Sequence, residues 1–270
     1  MGIRVTGLEV SDIRFPTSRT LDGSDAMNPD PDYSAAYCIL RTDQPGLDGH
    51  GFTFTIGRGN ELCCAAIRAL APLVVGLDLD RFRDEGGVVW WRLAGDSQLR
   101  WIGPEKGVVH LALAAVINAL WDLWGKADGL PVWRLVAELP PEQIVAQIDF
   151  RHIHDALSPA DALVHLRGLA AGRDARVRDL AEGGYPAYTT SAGWLGYPDE
   201  KIAALAKEFF RISSSATMCS RAATLPDACI MKSFSVEGAA SKRRSSTSSR
   251  SCCMLVSSRW RRSRASTSGY

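Results

Sequence analysis

Apolar residues between Gly103 and Val136 fall at helical spacing. Val108, Leu111, Ala112, Ala115, Ala119, Leu123 and Trp124 recur at steps of three and four, with Trp121 at the edge of the stripe. Pro104 suits the first turn of such a helix and Glu105 its positive end, while Gly125, Gly129 and Pro131 stop it. At about 20 residues the helix would run ~30 Å. Its alanines permit close approach of a neighbouring element, so the pattern predicts a buried central helix. Asn118, Asp122 and Lys126 interrupt it too often for a bilayer span.

Ahead of this helix the period shortens to that of strands. Ile3–Val10, Ala36–Arg41 and Phe52–Ile56 read as strands, the last two joined through Gln44-Pro45-Gly46 and Gly49, which makes a small antiparallel sheet. Between the first two lies Arg14–Ser34, rich in Pro, Asp, Ser and Gly. It is too long for a plain turn, and loops of that length in compact domains are functional or disordered. Asn60–Val75 predicts a helix with Leu62, Ala66, Ala69, Leu70 and Leu73 on one side. Arg81–Leu93 predicts another, weakened by Gly86-Gly87. Past the central helix, Ile144–Ile153 reads as a strand and Ser158-Pro159-Ala160-Asp161 as a capped helix start. Arg173–Gly183 reads as a charged helix, Pro186–Ser191 as a strand and Asp199–Phe210 as the helix after it. Strands followed by helices is an α+β pattern.

Composition marks a boundary near residue 212. The chain is 46% hydrophobic and 23% charged, ordinary for a soluble globular protein, but its net charge of +1 hides an asymmetry. Residues 212–270 carry ten Lys/Arg against two Asp/Glu, and 17 of those 59 residues are serine; the body keeps 21 basic against 28 acidic residues. The run Ser241–Arg250 has no apolar period and cannot bury enough surface to offset chain entropy, so the tail is expected to be disordered. A basic segment with Trp260 invites a nucleic-acid reading, but the acidic body offers no nucleic-acid fold and no such partner is expected. A shift of reading frame near Phe210 in a GC-rich gene would give Arg/Ser/Ala-rich text of this kind, which translation of the encoding DNA in its other two frames tests. The seven cysteines include no C-x-x-C pair, and neighbours such as Cys63-Cys64 seldom bridge, so a reducing, cytoplasmic location is expected. No charged-then-apolar leader opens the chain. Met1-Gly2-Ile3-Arg4-Val5-Thr6 matches the N-myristoylation pattern but reads more simply as the approach to the first strand, and no membrane partner is expected.

The run Ala114–Lys126, followed by Gly129-Leu130-Pro131-Val132 and Leu135, resembles the signature helix of the mandelate racemase branch of the enolase superfamily, with Asn118 where many members carry an acid. Taken with Phe15–Ser18, Leu21–Met27, Pro31–Tyr37 and Arg100–Gly107, the chain resembles the L-fuconate dehydratases over about residues 8–210. The resemblance implies an α+β N-terminal capping domain over residues 1–136. A connecting segment and the first βα unit of a truncated (β/α) barrel would occupy 137–211, with a tail outside the family over 212–270. A closed barrel of this kind needs about eight such units.

The activity implied is a Mg²⁺-dependent dehydration of L-fuconate to 2-keto-3-deoxy-L-fuconate. It proceeds by abstraction of the α-proton and loss of the 3-hydroxyl, and the α-proton of a carboxylate is acidic enough to remove only when a metal stabilises the ene-diolate. By resemblance the base would sit in a Lys-x-Lys pair on the second barrel strand, with three acidic metal ligands and a His–Asp dyad later. No Lys-x-Lys occurs in these 270 residues, and beyond residue 211 the only acids are Asp227 and Glu237. No catalytic or metal-ligating residue is therefore expected here, and the chain as written is expected to be inactive alone. What the resemblance does place in the chain is the substrate loop: Gly23, Ser24, Asp25 and Tyr33 are expected to bind a sugar acid, because a carboxylate and a phenol can bond its hydroxyls. The simpler reading of the same residues is that the acids form turns and Tyr33 packs on the sheet. A homo-oligomer is possible, and the alternative function is a non-catalytic capping module that self-associates or binds acid sugars weakly.

Three other clusters read more blandly. Gly57-Arg58-Gly59-Asn60-Glu61 lies between a strand and a helix but lacks the third glycine and the lysine of a nucleotide loop, and reads as a mobile capping loop. Asp149, His152, His154 and Asp155 would put two imidazoles on one face of a strand, although such pairs are more often surface polar residues than ligands. Cys63-Cys64 inside a helix is most simply packing.

Overall fold

A computed structural model describes residues 2–103, 105–184 and 190–214. Three strands, β1 (Val5–Arg14), β2 (Ser34–Thr42) and β3 (Gly49–Thr55), form an antiparallel meander in the order β1-β2-β3. Nine α-helices are described after it: α1 (Asn60–Val74), α2 (Leu79–Ala94), α3 (Leu99–Ile102), α4 (Gly107–Asp128), α5 (Val132–Glu138), α6 (Pro141–Ala146), α7 (Pro159–Leu169), α8 (Arg173–Gly183) and α9 (Asp199–Ser214). β1 runs four residues past its expected end, pairing Arg14 with Ser34. The extension is polar and so invisible to an apolar pattern. Asp12 there accepts from Asn60 Nδ2 at 2.6 Å and from the Arg14 guanidinium, and Arg14 reaches on to Glu61 at 2.6 Å.

The core lies between the inner face of the sheet and α4, with α1 beside it. On β2 the inward residues are Ser34, Ala36, Cys38 and Leu40; on β3 they are Gly49, Gly51 and Thr53. The two glycines let the α4 backbone sit directly on β3. A Cβ on Gly51 would lie 2.0 Å from the Ala115 carbonyl oxygen, and one on Gly49 2.3 Å from that of Ala119. The close approach expected of the alanines is thus made, and it requires small residues on both sides. The apolar face of α4 is shifted from the expected one: Val109, Leu113, Val116 and Leu120 are buried with Ala112, Ala115, Ala119, Leu123 and Trp124, whereas Val108 and Leu111 are partly exposed. A helix covered on more than one side is apolar over most of its circumference, so the spacing alone leaves its phase open. By length and composition α4 could cross a bilayer. Here it is the core helix, and its polar residues bond to the sheet: Asp122 accepts from the His50 amide at 2.7 Å, and the Lys126 ammonium donates to the Asp48 carbonyl at 3.0 Å. Asp122→Ala strands the His50 amide and should cost about 1–2 kcal/mol in urea unfolding, with no change in m-value.

Helix termini follow the sequence in part. Gly129, at φ +67, ends α4, and the Leu130 amide returns to the Gly125 carbonyl. The start differs: Lys106 takes φ +66 and α4 begins at Gly107, so Glu105 is outside the first turn and pairs instead with Arg151 at 2.7 Å. Pro104 lies outside the described residues. In α1 the buried apolar residues are Cys63, Cys64, Ile67, Leu70 and Val74, and Leu62 is exposed, one position away from the expected face. The Gly86-Gly87 pair in α2 is where α6 crosses, with Gly87 beneath the Ala146 carbonyl and a kink at the preceding Glu85. Ile144–Ile153 is not a strand: α6 begins on Pro140-Pro141, and Phe150–His152 form a 3₁₀ turn capped by Asp149. A short apolar run does not distinguish helix from strand, whereas a proline pair favours a helix start. Ser158 caps α7, as expected, and Asp161 completes a capping box with it. Of the strand expected at Pro186–Ser191, residues 186–189 lie outside the described residues, as does the tail from residue 215.

Candidate functional site

The loop from Phe15 to Tyr33 is built on its own polar groups. Thr17 Oγ1 donates to the Pro31 carbonyl at 2.8 Å and accepts from the Tyr33 amide at 2.9 Å, while Asp32 takes the Ser18 hydroxyl at 2.6 Å and the Ser18 amide at 3.1 Å. These bonds close the base of the loop above β2. Its tip turns at Leu21, which holds φ +58, a conformation a bulky residue rarely adopts, and at Gly23, φ +81. The Tyr33 hydroxyl lies against Gly23 so closely that a Cβ there would fall 1.8 Å from it.

Each expected binding residue has a distinct place. Gly23 is buried beneath Tyr33. Ser24 is 1% exposed; its hydroxyl donates to the Leu21 carbonyl at 2.7 Å and accepts the Gly196 amide at 2.8 Å. Asp25 is exposed, and its Oδ1 accepts from the Met27 and Asn28 amides, each at 2.7 Å. Tyr33 packs edge-on to Phe54 at 5.0 Å, and its hydroxyl makes no hydrogen bond among the described residues. Burial, reinforced by Asp25 and Asp22, pushes the Tyr33 phenol up, so it stays protonated at neutral pH and can both donate and accept.

Residues far along the chain meet this tip, and the sequence singles out none of them as partners of the loop. Tyr197 donates its hydroxyl to Asp22 Oδ1, the Leu195 amide donates to the Ser24 carbonyl at 3.1 Å, and the Lys201 ammonium lies 3.4 Å from Asp22 Oδ1. An aromatic residue just before a helix, in Gly196-Tyr197-Pro198-Asp199, is the only local signal, and it names no partner. Beside the loop opens a cleft of about 850 Å³ whose lining includes Arg14, Met27, Asp30, Asp32, Arg58 and Glu61, and none of the four expected binding residues.

Three loop carboxylates sit below the usual range, each for a local reason. The Tyr197 hydroxyl, then Thr20, hold Asp22 down; the Asn28 and Met27 amides do so for Asp25; the Ser18 hydroxyl and amide do so for Asp32. A carboxylate with a folded pKa below its unfolded one stabilises above the unfolded value and loses that contribution as pH falls through the folded one. The amide resonances of Gly23, Ser24, Leu195 and Gly196 should therefore hold steady between about pH 5 and 7 and shift or broaden below about pH 4. Steady resonances on acidification to full protonation would contradict this wiring.

Among the described residues no group of three His, Cys, Asp or Glu side chains is placed to hold a metal ion, so these residues do not fit a Mg²⁺ site. His152 sits 3.4 Å from Glu105 and His154 bonds the Arg151 carbonyl, which makes that cluster surface polar residues on a turn rather than a strand-borne pair. Cys63 and Cys64 are buried free thiols inside α1, and burial pushes both up. At Gly57–Glu61 the loop ends in Gly59, φ +94, which begins α1, and Glu61 is occupied by Arg14.

Residues 30–137 match the family model of the mandelate racemase / muconate lactonizing enzyme N-terminal domain. The chain is 54% identical over 207 residues to an L-galactonate dehydratase of Hypocrea jecorina, covering 76% of this chain and 46% of that protein. It is 52% identical over 206 residues to mitochondrial enolase superfamily member 1 of Bos taurus, again 76% of this chain and 46% of that one. The crystal structure of human mitochondrial enolase superfamily member 1 superposes with a TM-score of 0.75 at 47% identity, covering 78% of this chain and 48% of that one. The chain thus spans about half the length of the curated relatives it matches.

Proposed function

We propose that the substrate-selecting part of a sugar-acid dehydratase of the enolase superfamily is present here, in a chain whose residues 30–137 match the mandelate racemase / muconate lactonizing enzyme N-terminal domain. The observation that carries this is the Tyr33 hydroxyl, which has no hydrogen bond among the described residues, lies against Gly23 and feels the negative charge of Asp25 and Asp22. A phenol that can donate and accept, beside an anionic acceptor, suits vicinal hydroxyls. In this reading Gly23 makes room, Tyr33 and Asp25 contact the substrate, and Ser24 holds the tip in place. The substrate class is a sugar acid of L-galacto configuration. L-Fuconate is L-galactonate without its 6-hydroxyl, so the resemblance to L-fuconate dehydratases and the likeness to a protein named L-galactonate dehydratase point to one stereochemistry.

In the whole protein, Mg²⁺ bound by barrel acids would supply ene-diolate stabilisation. No step is assigned to it in these 270 residues, which offer neither a Lys-x-Lys pair nor a fitting acid cluster among those described. The domain reading stands with this proposal: 1–136 capping domain, 137–211 connection and first barrel unit, 212–270 outside the family. A cytoplasmic location is proposed on the same footing, supported by the free buried thiols of Cys38, Cys63 and Cys64.

The test is twofold. Purified chain incubated with L-fuconate or L-galactonate and Mg²⁺ should release no 2-keto-3-deoxy acid, while calorimetry without metal should show weak binding of both. Turnover would overturn the assignment of chemistry to residues elsewhere. Absence of any binding would favour a capping module without a ligand of its own.

A further inference from the structure

We infer that Leu195–Lys201 is the seat that fixes the tip of the substrate loop, with Tyr197 and Lys201 as positioning residues for Tyr33 and Asp25. This deepens the proposed function and rests on its reading of the loop as the element that selects substrate. The base of the loop is held from within, by Thr17 on Pro31 and Ser18 on Asp32. The tip is held differently. The long-range hydrogen bonds of Asp22 and Ser24 come from residues more than 170 positions away, through the Leu195 and Gly196 amides and the Tyr197 hydroxyl. Lys201 adds a third contact: its ammonium is 3.5 Å from the centre of the Tyr197 ring and 3.4 Å from both the Thr20 carbonyl and Asp22 Oδ1. Tyr197 is itself 9% exposed, so the hydroxyl that reaches Asp22 is on a side chain with little freedom to leave.

Shape enforces the same seat. Gly196 lies under the turn so closely that a Cβ would come 2.8 Å from Ser24 Oγ and 2.9 Å from Leu21 Cβ. Leu21 and Gly23 both hold positive φ across this contact, conformations that persist where the surroundings over-determine them. The tip therefore takes its shape from Leu195–Lys201, and a substrate bound at Tyr33 would meet a loop already set by that segment.

Hydrogen exchange of the full 270-residue chain tests this. Tyr197→Phe removes a hydrogen bond and Gly196→Ala adds a methyl group without removing one. Each should speed exchange of amides in residues 20–28 by about fivefold or more, while amides of β2 and α4 keep their wild-type rates. Lys201→Met should speed the same amides, and Lys201→Arg should restore them, which a general loss of stability would not do. Unchanged exchange at 20–28 in both Tyr197→Phe and Gly196→Ala would overturn the inference, as would equal acceleration across β2 and α4. If the tip loosens as described and L-galactonate titrations of wild type and Tyr197→Phe show no difference, the seat stands and the proposed function is what fails.

Discussion

Gly51→Val is expected to cost at least ~3 kcal/mol, a large part of the stability of an ordinary domain. The atoms a side chain would meet at Gly51 are backbone: the Ala115 carbonyl oxygen at 2.0 Å and the Ala119 nitrogen at 2.6 Å. A flexible side chain could rotate away, but a helix can only move as a unit. Lifting α4 from β3 would open the contacts of Ala36, Cys38 and Leu40 beneath it, since all of them belong to one core. Gly46→Ala is the control. Gly46 has φ +79, and a methyl group there would meet nothing within 4 Å, so only backbone strain of roughly 1–2 kcal/mol applies. Urea unfolding of the two variants separates steric contact from backbone preference. Equal losses would show that close helix–sheet approach contributes nothing beyond glycine's conformational freedom.

Gly23→Ala should remove sugar-acid binding, with an affinity loss of about tenfold or more. Two effects act together. A residue with a Cβ at φ +81 is strained by roughly 1–2 kcal/mol, which is about tenfold when binding requires that conformation. The added carbon would also lie 1.8 Å from the Tyr33 hydroxyl and 2.0 Å from Cζ, so the phenol must leave. The same strain lowers stability as it does at Gly46, so the melt should fall by a comparable amount while the core keeps its cooperative transition. Calorimetric titration with L-galactonate beside a thermal melt distinguishes the two. Wild-type affinity in Gly23→Ala would show that the Gly23–Tyr33 pair is not the binding element.

How far these features are legible in the sequence depends on their range. The strands of the meander, the 14–34 loop and the glycine stop of α4 rest on neighbours in sequence, and each lies close to where the pattern predicts it. The phase of α1 and α4 does not. Leu62 and Leu111 are as apolar as Ile67 and Leu113, and only the arrangement of sheet and helices decides which pair is covered. The apolar run of Ile144–Ile153 suggests a strand, although Pro140-Pro141 carries the better signal. In the proposed site, Gly23, Ser24, Asp25 and Tyr33 are named by resemblance, since their residue types alone fit turns and packing equally well. Tyr197 and Lys201 are not, because their importance comes from Asp22, 175 and 179 residues away. Spacing along a chain carries no information about that distance.

Recognition of the sugar acid is proposed for the Gly23–Tyr33 loop. Amide chemical shifts of the full chain, recorded during titration with L-galactonate in the absence of metal, test this directly. Perturbations centred on Gly23, Asp25 and Tyr33, and lost in Tyr33→Phe, are the result expected. Shifts confined to other surfaces, or the same shifts in Tyr33→Phe, would contradict it.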